Sequence, residues 1–155
     1  MTVSATSDLA KRINALRTSV SSSSTFQTFT GTATSVLAAA KVYYPGAEQN
    51  RPYAVVGVWE GYRVYSEAVG QVWGEGALWL ALEQDVATGN QSSDWDAWTA
   101  FLNACGGILE DILGSTTSGG LVIKDAVFEV APARSDPYEE NGSDYFFALI
   151  RIEGV

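Results

Sequence analysis

Histidine is absent from this sequence, and cysteine occurs once, at position 105. The first absence removes the commonest general base, the commonest metal ligand and every serine–histidine triad. A single cysteine permits neither an intrachain disulfide nor a structural zinc site. Its apolar neighbours on a helical face point to a buried, inert thiol rather than a nucleophile. Charge is scarce too, at 17% of 155 residues, below the usual quarter. Basic residues are the scarcer kind: nine Lys and Arg against 18 Asp and Glu leave a net charge of −9. That balance argues against a protein that grips nucleic acid by its phosphates. Apolar runs long enough to span a bilayer, ~20 residues, are missing, as is a signal-type apolar segment. The expectation is therefore a protein made and used in a cytoplasm, without membrane contact.

What is present is apolar and aromatic. Hydrophobic residues make up 46% of the chain and aromatics 12%, including five Trp and seven Tyr. This suits a single domain with one core. With so few charges, the remaining aromatic surface has two readings: a Trp-rich monomeric core, or faces covered by self-association. Lys11, Arg12 and Arg17 cluster near the start, whereas no Lys or Arg falls between Arg63 and Lys124. That asymmetry gives either a positive end and a negative face, or simply a solvated acidic surface.

Hydrophobic periodicity predicts mixed elements. A first helix starts after Ser7 as N-cap, with Asp8 in its first turn and Leu9, Ile13, Leu16 and Val20 on one stripe. The serines at 21–24 end it. Residues 25–34, with Phe26 and Phe29, read as an irregular strand or an extended arm. Residues 35–44 suit a helix at their start and a strand at their end, and Pro45-Gly46 stops either. Arg51-Pro52 introduces a strand over 53–59, and Glu60-Gly61 forms a turn. Tyr62, Val64, Tyr65 and Val69 continue as a second strand or a loop that folds back. Gly70, Gly74 and Gly76 punctuate the chain before a strand over 77–86. Asp94 is expected to N-cap a long helix, about 95–113, with Gly114 at its end. Gly106-Gly107 inside it demands a close approach or a bend; helix–sheet packing is the preferred reading over a subunit contact. Strands over 121–130 and 145–152 form a long-looped antiparallel hairpin, the last strand central because its first six residues are apolar on both faces. The fold class is α+β: a small twisted, mostly antiparallel sheet packed against an N-terminal helix and the long helix.

Catalytic signals are weak. Glu83 with Asp85, Glu110 with Asp111 and Glu139 with Glu140 are local acidic pairs, which more often form solvated faces than a cleft. Asp136, Glu139, Glu140, Asn141 and Asp144 offer oxygen ligands for Ca²⁺, but their spacing is not that of an EF-hand, and a plain acidic loop is the preferred account. The glycines at 70, 74 and 76 are followed by a strand, where a phosphate loop would need a helix. Trp95 and Trp98 read as core or interface anchors. The expectation is no enzyme, no cofactor and no bound metal.

The order of elements carries a resemblance. An amphipathic first helix precedes a polar stretch, Arg51-Pro52-Tyr53-Ala54-Val55-Val56, and then Gly76-Ala77-Leu78-Trp79-Leu80. The long helix, the strand over 121–130, a Pro/Asp loop and the strand over 145–152 follow. This layout resembles tail terminator (tail completion) and neck proteins of long-tailed phages across most of the chain. The resemblance implies a homo-oligomeric, hexameric ring that caps the tail tube at the head–tail junction of a virion. Its partners would be further copies of the chain, the tail tube protein and a neck or head-completion protein, with a sheath as a further neighbour. DNA would pass the lumen without specific binding, past a wall of acidic side chains. Phe26, Phe29, Arg51, Tyr62, Asp136, Tyr138, Glu139 and Glu140 are the candidate interface residues, with residues 25–34 and the loop 131–143 reaching neighbours. A head-closure or adaptor role is the near alternative, and a small monomeric ligand-binding module with a Trp/Tyr-lined pocket is the distant one. An enzyme using carboxylates alone stands third.

Overall fold

The structure, a computed structural model, describes residues 3–115, 121–135 and 144–154. Among these residues four helices and seven strands follow in chain order: α1 (Asp8–Ser22), α2 (Ser24–Thr30), α3 (Ser35–Ala39), β1 (Val42–Tyr43), β2 (Tyr53–Val58), β3 (Arg63–Ala68), β4 (Gln71–Glu75), β5 (Leu78–Asp85), α4 (Gln91–Ile112), β6 (Ile123–Arg134) and β7 (Tyr145–Gly154). The fold is α+β, as the hydrophobic pattern predicts. A five-stranded sheet runs β1-β2-β5-β7-β6, and β3 and β4 form a separate two-stranded ribbon. All pairings are antiparallel except the short β1–β2 pair. Strand β7 lies between β5 and β6, the interior position its two apolar faces call for.

Local chemistry sets the helix ends. The Ser7 hydroxyl accepts from Ala10 N–H at 3.1 Å, starting α1 where expected. Ser23 ends α1 through its N–H to the Val20 carbonyl and starts α2 through its hydroxyl, which accepts from Phe26 N–H at 3.1 Å. The serine run is thus a junction between two helices. Residues 25–34 are not an extended arm: α2 occupies most of them, and Phe26 is fully buried. The ambiguous 35–44 segment is both things in turn, α3 and then β1. The long helix begins earlier than expected. Asn90, not Asp94, is its N-cap, and Asn90 and Ser93 form a reciprocal capping box that places Asp94 inside the first turn. Gly114, at φ +76°, takes the left-handed conformation expected after the helix.

Alternation decides which sheet face is covered. Ala54, Val56, Leu78, Leu80, Leu82, Phe146, Ala148, Ile150 and Ile152 point to one side, where they pack with Leu16 and Val20 of α1, Phe26 of α2 and Phe101, Cys105, Ile108 and Ile112 of α4. Phe101 stacks on Phe146 with ring centroids 5.7 Å apart, and Trp98 leans on the same ring at 5.3 Å. Burial of this kind is the dominant stabilising term, at about 25 cal/mol per Å² of apolar surface. Cys105 sits in this core, and burial pushes its thiol pKa up to about 12. Of the two mid-helix glycines only Gly107 makes a close approach, and its partner is helix α2 rather than the sheet. A Cβ on Gly107 would meet the Thr25 side chain at 2.7 Å, whereas Gly106 faces open space.

Candidate functional site

Among the described residues, no helix covers the opposite sheet face. Tyr53, Val55 and Ala81 are buried there beneath half-buried Tyr43, Trp79, Phe147 and Leu149. These side chains follow from the period of two that buries their neighbours on the other side. Gly57 lies directly opposite Trp79 in the β2–β5 ladder. Without a side chain on Gly57 the indole settles against its backbone, so close that a Cβ there would be 2.4 Å from the ring. The indole N–H donates to the Val58 carbonyl at 3.1 Å, which fixes the ring. A groove of about 560 Å³ runs across this face, with Val55, Val58, Trp59, Trp79, Ala81, Phe147 and Leu149 as its apolar lining and Glu48, Glu60 and Glu83 as its acids.

At one edge of this face the polar groups are mutually satisfied. The Tyr53 hydroxyl donates to Glu83 Oε2 at 2.7 Å, and Tyr43 meets the Tyr53 ring edge-on at 5.6 Å. Arg51 donates to Glu83 Oε1 at 3.4 Å and to Asp85 Oδ1 at 3.3 Å, with its guanidinium 4.0 Å from the Tyr145 ring centroid. Burial, then the bond to Glu83, raises the Tyr53 pKa. Burial is the largest influence and opposes the charge on Arg51, but Glu83, Tyr53 and Asp85 together outweigh it and the net shift is upward. Glu83 and Asp85 therefore hold an arginine rather than face one another across a cleft.

The ribbon is the second unusual surface. Residues Val69 and Gly70 connect β3 to β4, with Gly70 at φ +83° in the left-handed region that the second residue of such a turn requires. Register places Arg63 opposite Glu75 and Tyr65 opposite Trp73, so these four share one face. Arg63 donates to Glu75 Oε2 at 2.8 Å and lies 4.5 Å from the Tyr65 centroid. Val64, Val72 and Trp73 are 65%, 68% and 52% exposed, and Val69 at the tip is entirely so. At the root, Gly74 approaches Tyr62 and Asp8.

A further cleft of about 740 Å³ lies at the start of α4, where Trp95 and Trp98 face Arg134. Arg134 is paired with Asp144, which holds the Asp144 carboxyl below its ordinary pKa. Trp98 belongs to the core edge, while Trp95 is largely exposed. Asp144, one of the five oxygen ligands considered for Ca²⁺, is thus committed to an arginine.

The predicted interface residues do not gather. Phe26 is core, and Phe29 packs between Phe26 and Phe101 with centroids 6.2 and 6.3 Å away. Phe26 is closed off because α2 folds over the core instead of extending, whereas Phe29 is half-buried at its edge. Arg51 borders the helix-free face, and Tyr62 is half-buried at the ribbon root. Asp136, Tyr138, Glu139 and Glu140 lie outside the described residues. Sequence reasoning missed the ribbon residues and the pair Trp59 and Trp79. The available signal was an alternating stretch on each side of Val69-Gly70 with a charged residue at either end. Among the described residues no helix is long and apolar enough to cross a membrane, and no group of three or more acids or thiols is placed to hold a metal ion. No protein-family model matches this chain, and no curated protein matches it significantly.

Proposed function

We propose that this chain is a structural protein of a phage particle that assembles into a ring, of six copies, at the head–tail junction, capping the tail tube and joining it to the neck. One observation carries the reading: the chain bears two unlike apolar surfaces, an exposed ribbon and an uncovered sheet groove, in different places. Unlike surfaces that satisfy one another produce head-to-tail contacts, and such contacts close into rings when the rotation allows. The net charge of −9 supports the second half of the proposal. A wall of like charge repels DNA phosphates and lets the genome slide without sticking. Tail tube protein and a neck or head-completion protein are the proposed neighbours, and the assembled virion is the proposed location.

Mass in solution, measured for the chain alone and with tail tube protein, tests the proposal. The expected result is a discrete closed oligomer in at least the second condition. A monomer in both removes the virion reading. It would favour the second one, a small binding module whose groove takes an apolar ligand, since the groove volume falls within the usual range for ligand sites.

A further inference from the structure

We propose that the β3–β4 ribbon of one copy lies across the helix-free sheet groove of the next, with the Tyr65–Trp73 face of the ribbon turned into the groove. This rests on the ring reading and specifies the two surfaces that meet.

The ribbon needs a cover. A two-stranded hairpin is marginal in water by itself, and among the described residues this one joins no third strand. Its valines and Trp73 are exposed along its length. The groove needs one as well, and none of the ribbon's own residues lines it. Among the described residues, neither surface is therefore satisfied within its own chain. Size agrees, because about 560 Å³ accommodates an indole with neighbouring side chains. Charge selects the face. Glu48 and Glu60 belong to the groove lining, and Arg63 is the ribbon's one cation. Arg63 shares its face with Tyr65, Trp73 and its own partner Glu75. Its pairing with Glu75 is solvent-exposed, and exposed pairs contribute little. Arg63 can thus reach the neighbour's Glu60 or Glu48 at small cost. Trp73, flanked by Arg63 and Tyr65, has the composition of an interface anchor.

The test uses two variants of the full chain. Trp73→Ser disables the ribbon, and Leu149→Glu places a charge in the groove at a half-buried position on the helix-free face. Each variant alone should become monomeric, with the contact weakened about 30-fold or more, as expected for loss of an anchor residue. Mixed in equal amounts, they should form a heterodimer and stop there: one intact ribbon meets one intact groove, and both remaining surfaces are disabled. Native mass spectrometry reads this directly. If the unsubstituted chain forms a ring and either variant does so equally well, the surface pairing is wrong while the ring reading stands. A mixture that yields no heterodimer overturns the pairing too. If the unsubstituted chain stays monomeric even with tail tube protein, both proposals fall.

A second measurement does not depend on the variants dissociating. The double substitution Glu75→Cys, Glu48→Cys, which keeps Trp73 and replaces one acid on the ribbon face and one in the groove lining, should give a ladder of covalent oligomers on oxidation. Cys105 is buried and contributes no crosslink. The absence of a ladder, or a band at dimer size only, would contradict a head-to-tail ribbon-in-groove contact.

Discussion

The Ser23 hydroxyl donates to Asp111 Oδ2 at 2.6 Å while accepting from Phe26 N–H at 3.1 Å. One side chain therefore caps α2 and ties the α1–α2 junction to the far end of α4. The same carboxylate oxygen accepts from Thr25 N–H at 3.2 Å. The bond from Ser23 holds the Asp111 carboxyl below its ordinary pKa, burial opposes the shift, and the Thr25 bonds add to it. A depressed folded-state pKa contributes stability that is fully present above the unfolded value of about 3.9 and is lost as pH falls through the folded value. Asp111→Ala should therefore cost about 1–2 kcal/mol in urea unfolding at pH 7, as for the loss of a cap and a charged hydrogen bond. The gap between variant and parent should shrink below about pH 4. A gap of equal size at pH 7 and pH 3 would show that the carboxylate charge contributes nothing here.

Gly106 and Gly107 are neighbours in sequence but opposite in consequence. Gly106 faces open space, so alanine there adds helix propensity without a clash. Gly106→Ala should stabilise the chain by about 0.5–1 kcal/mol. At Gly107 the new methyl would lie 2.7 Å from Thr25 Cγ2 and 2.9 Å from its hydroxyl, at the α2–α4 contact. Overpacking there should outweigh the propensity gain and destabilise by about 1–2 kcal/mol. Thermal unfolding of the two variants decides it, and a stabilised Gly107→Ala would show that α2 shifts freely on α4.

This pair also shows what can be read before any coordinates. A glycine pair inside an apolar helical stripe signals a close approach, and one exists. The sequence does not say which of the two glycines makes it, or that the partner is a helix, because residues 25–34 look too polar and too rich in threonine to be one. What rescues α2 is capping: Ser23 at its start and Gly31, at φ +66°, at its end. Strands β2, β5 and β7 were legible because each buries at least one face, whereas β6, largely exposed beyond Ile123, runs to Arg134, past its expected end at 130 and into the expected loop. Ribbon strand β4 was not, because it buries neither face and contains Gly74. The helix-free groove was hidden for a related reason. Tyr53, Val55, Trp79, Phe147 and Leu149 are apolar at alternate positions of strands whose other face is apolar too, so nothing in the pattern tells which side lacks a helix.

Trp79 and Gly57 connect stability to assembly. A Cβ at position 57 would come within 2.4 Å of Cε2 and Cζ2 of the indole, so Gly57→Ala must displace the ring and break its bond to the Val58 carbonyl. The expected loss is about 1–3 kcal/mol, the usual range for overpacking. If the clash is the cause, the same substitution made in a Trp79→Val background should cost less, with a coupling of about 0.5–3 kcal/mol between directly touching residues. The indole is also a wall of the groove. Its displacement should therefore weaken oligomer formation beyond what the loss of stability explains, measured at a temperature where the variant remains folded. Equal costs in the two backgrounds would place the strain elsewhere in β2. An unchanged oligomer in the folded variant would mean that the groove wall takes no part in the contact between copies.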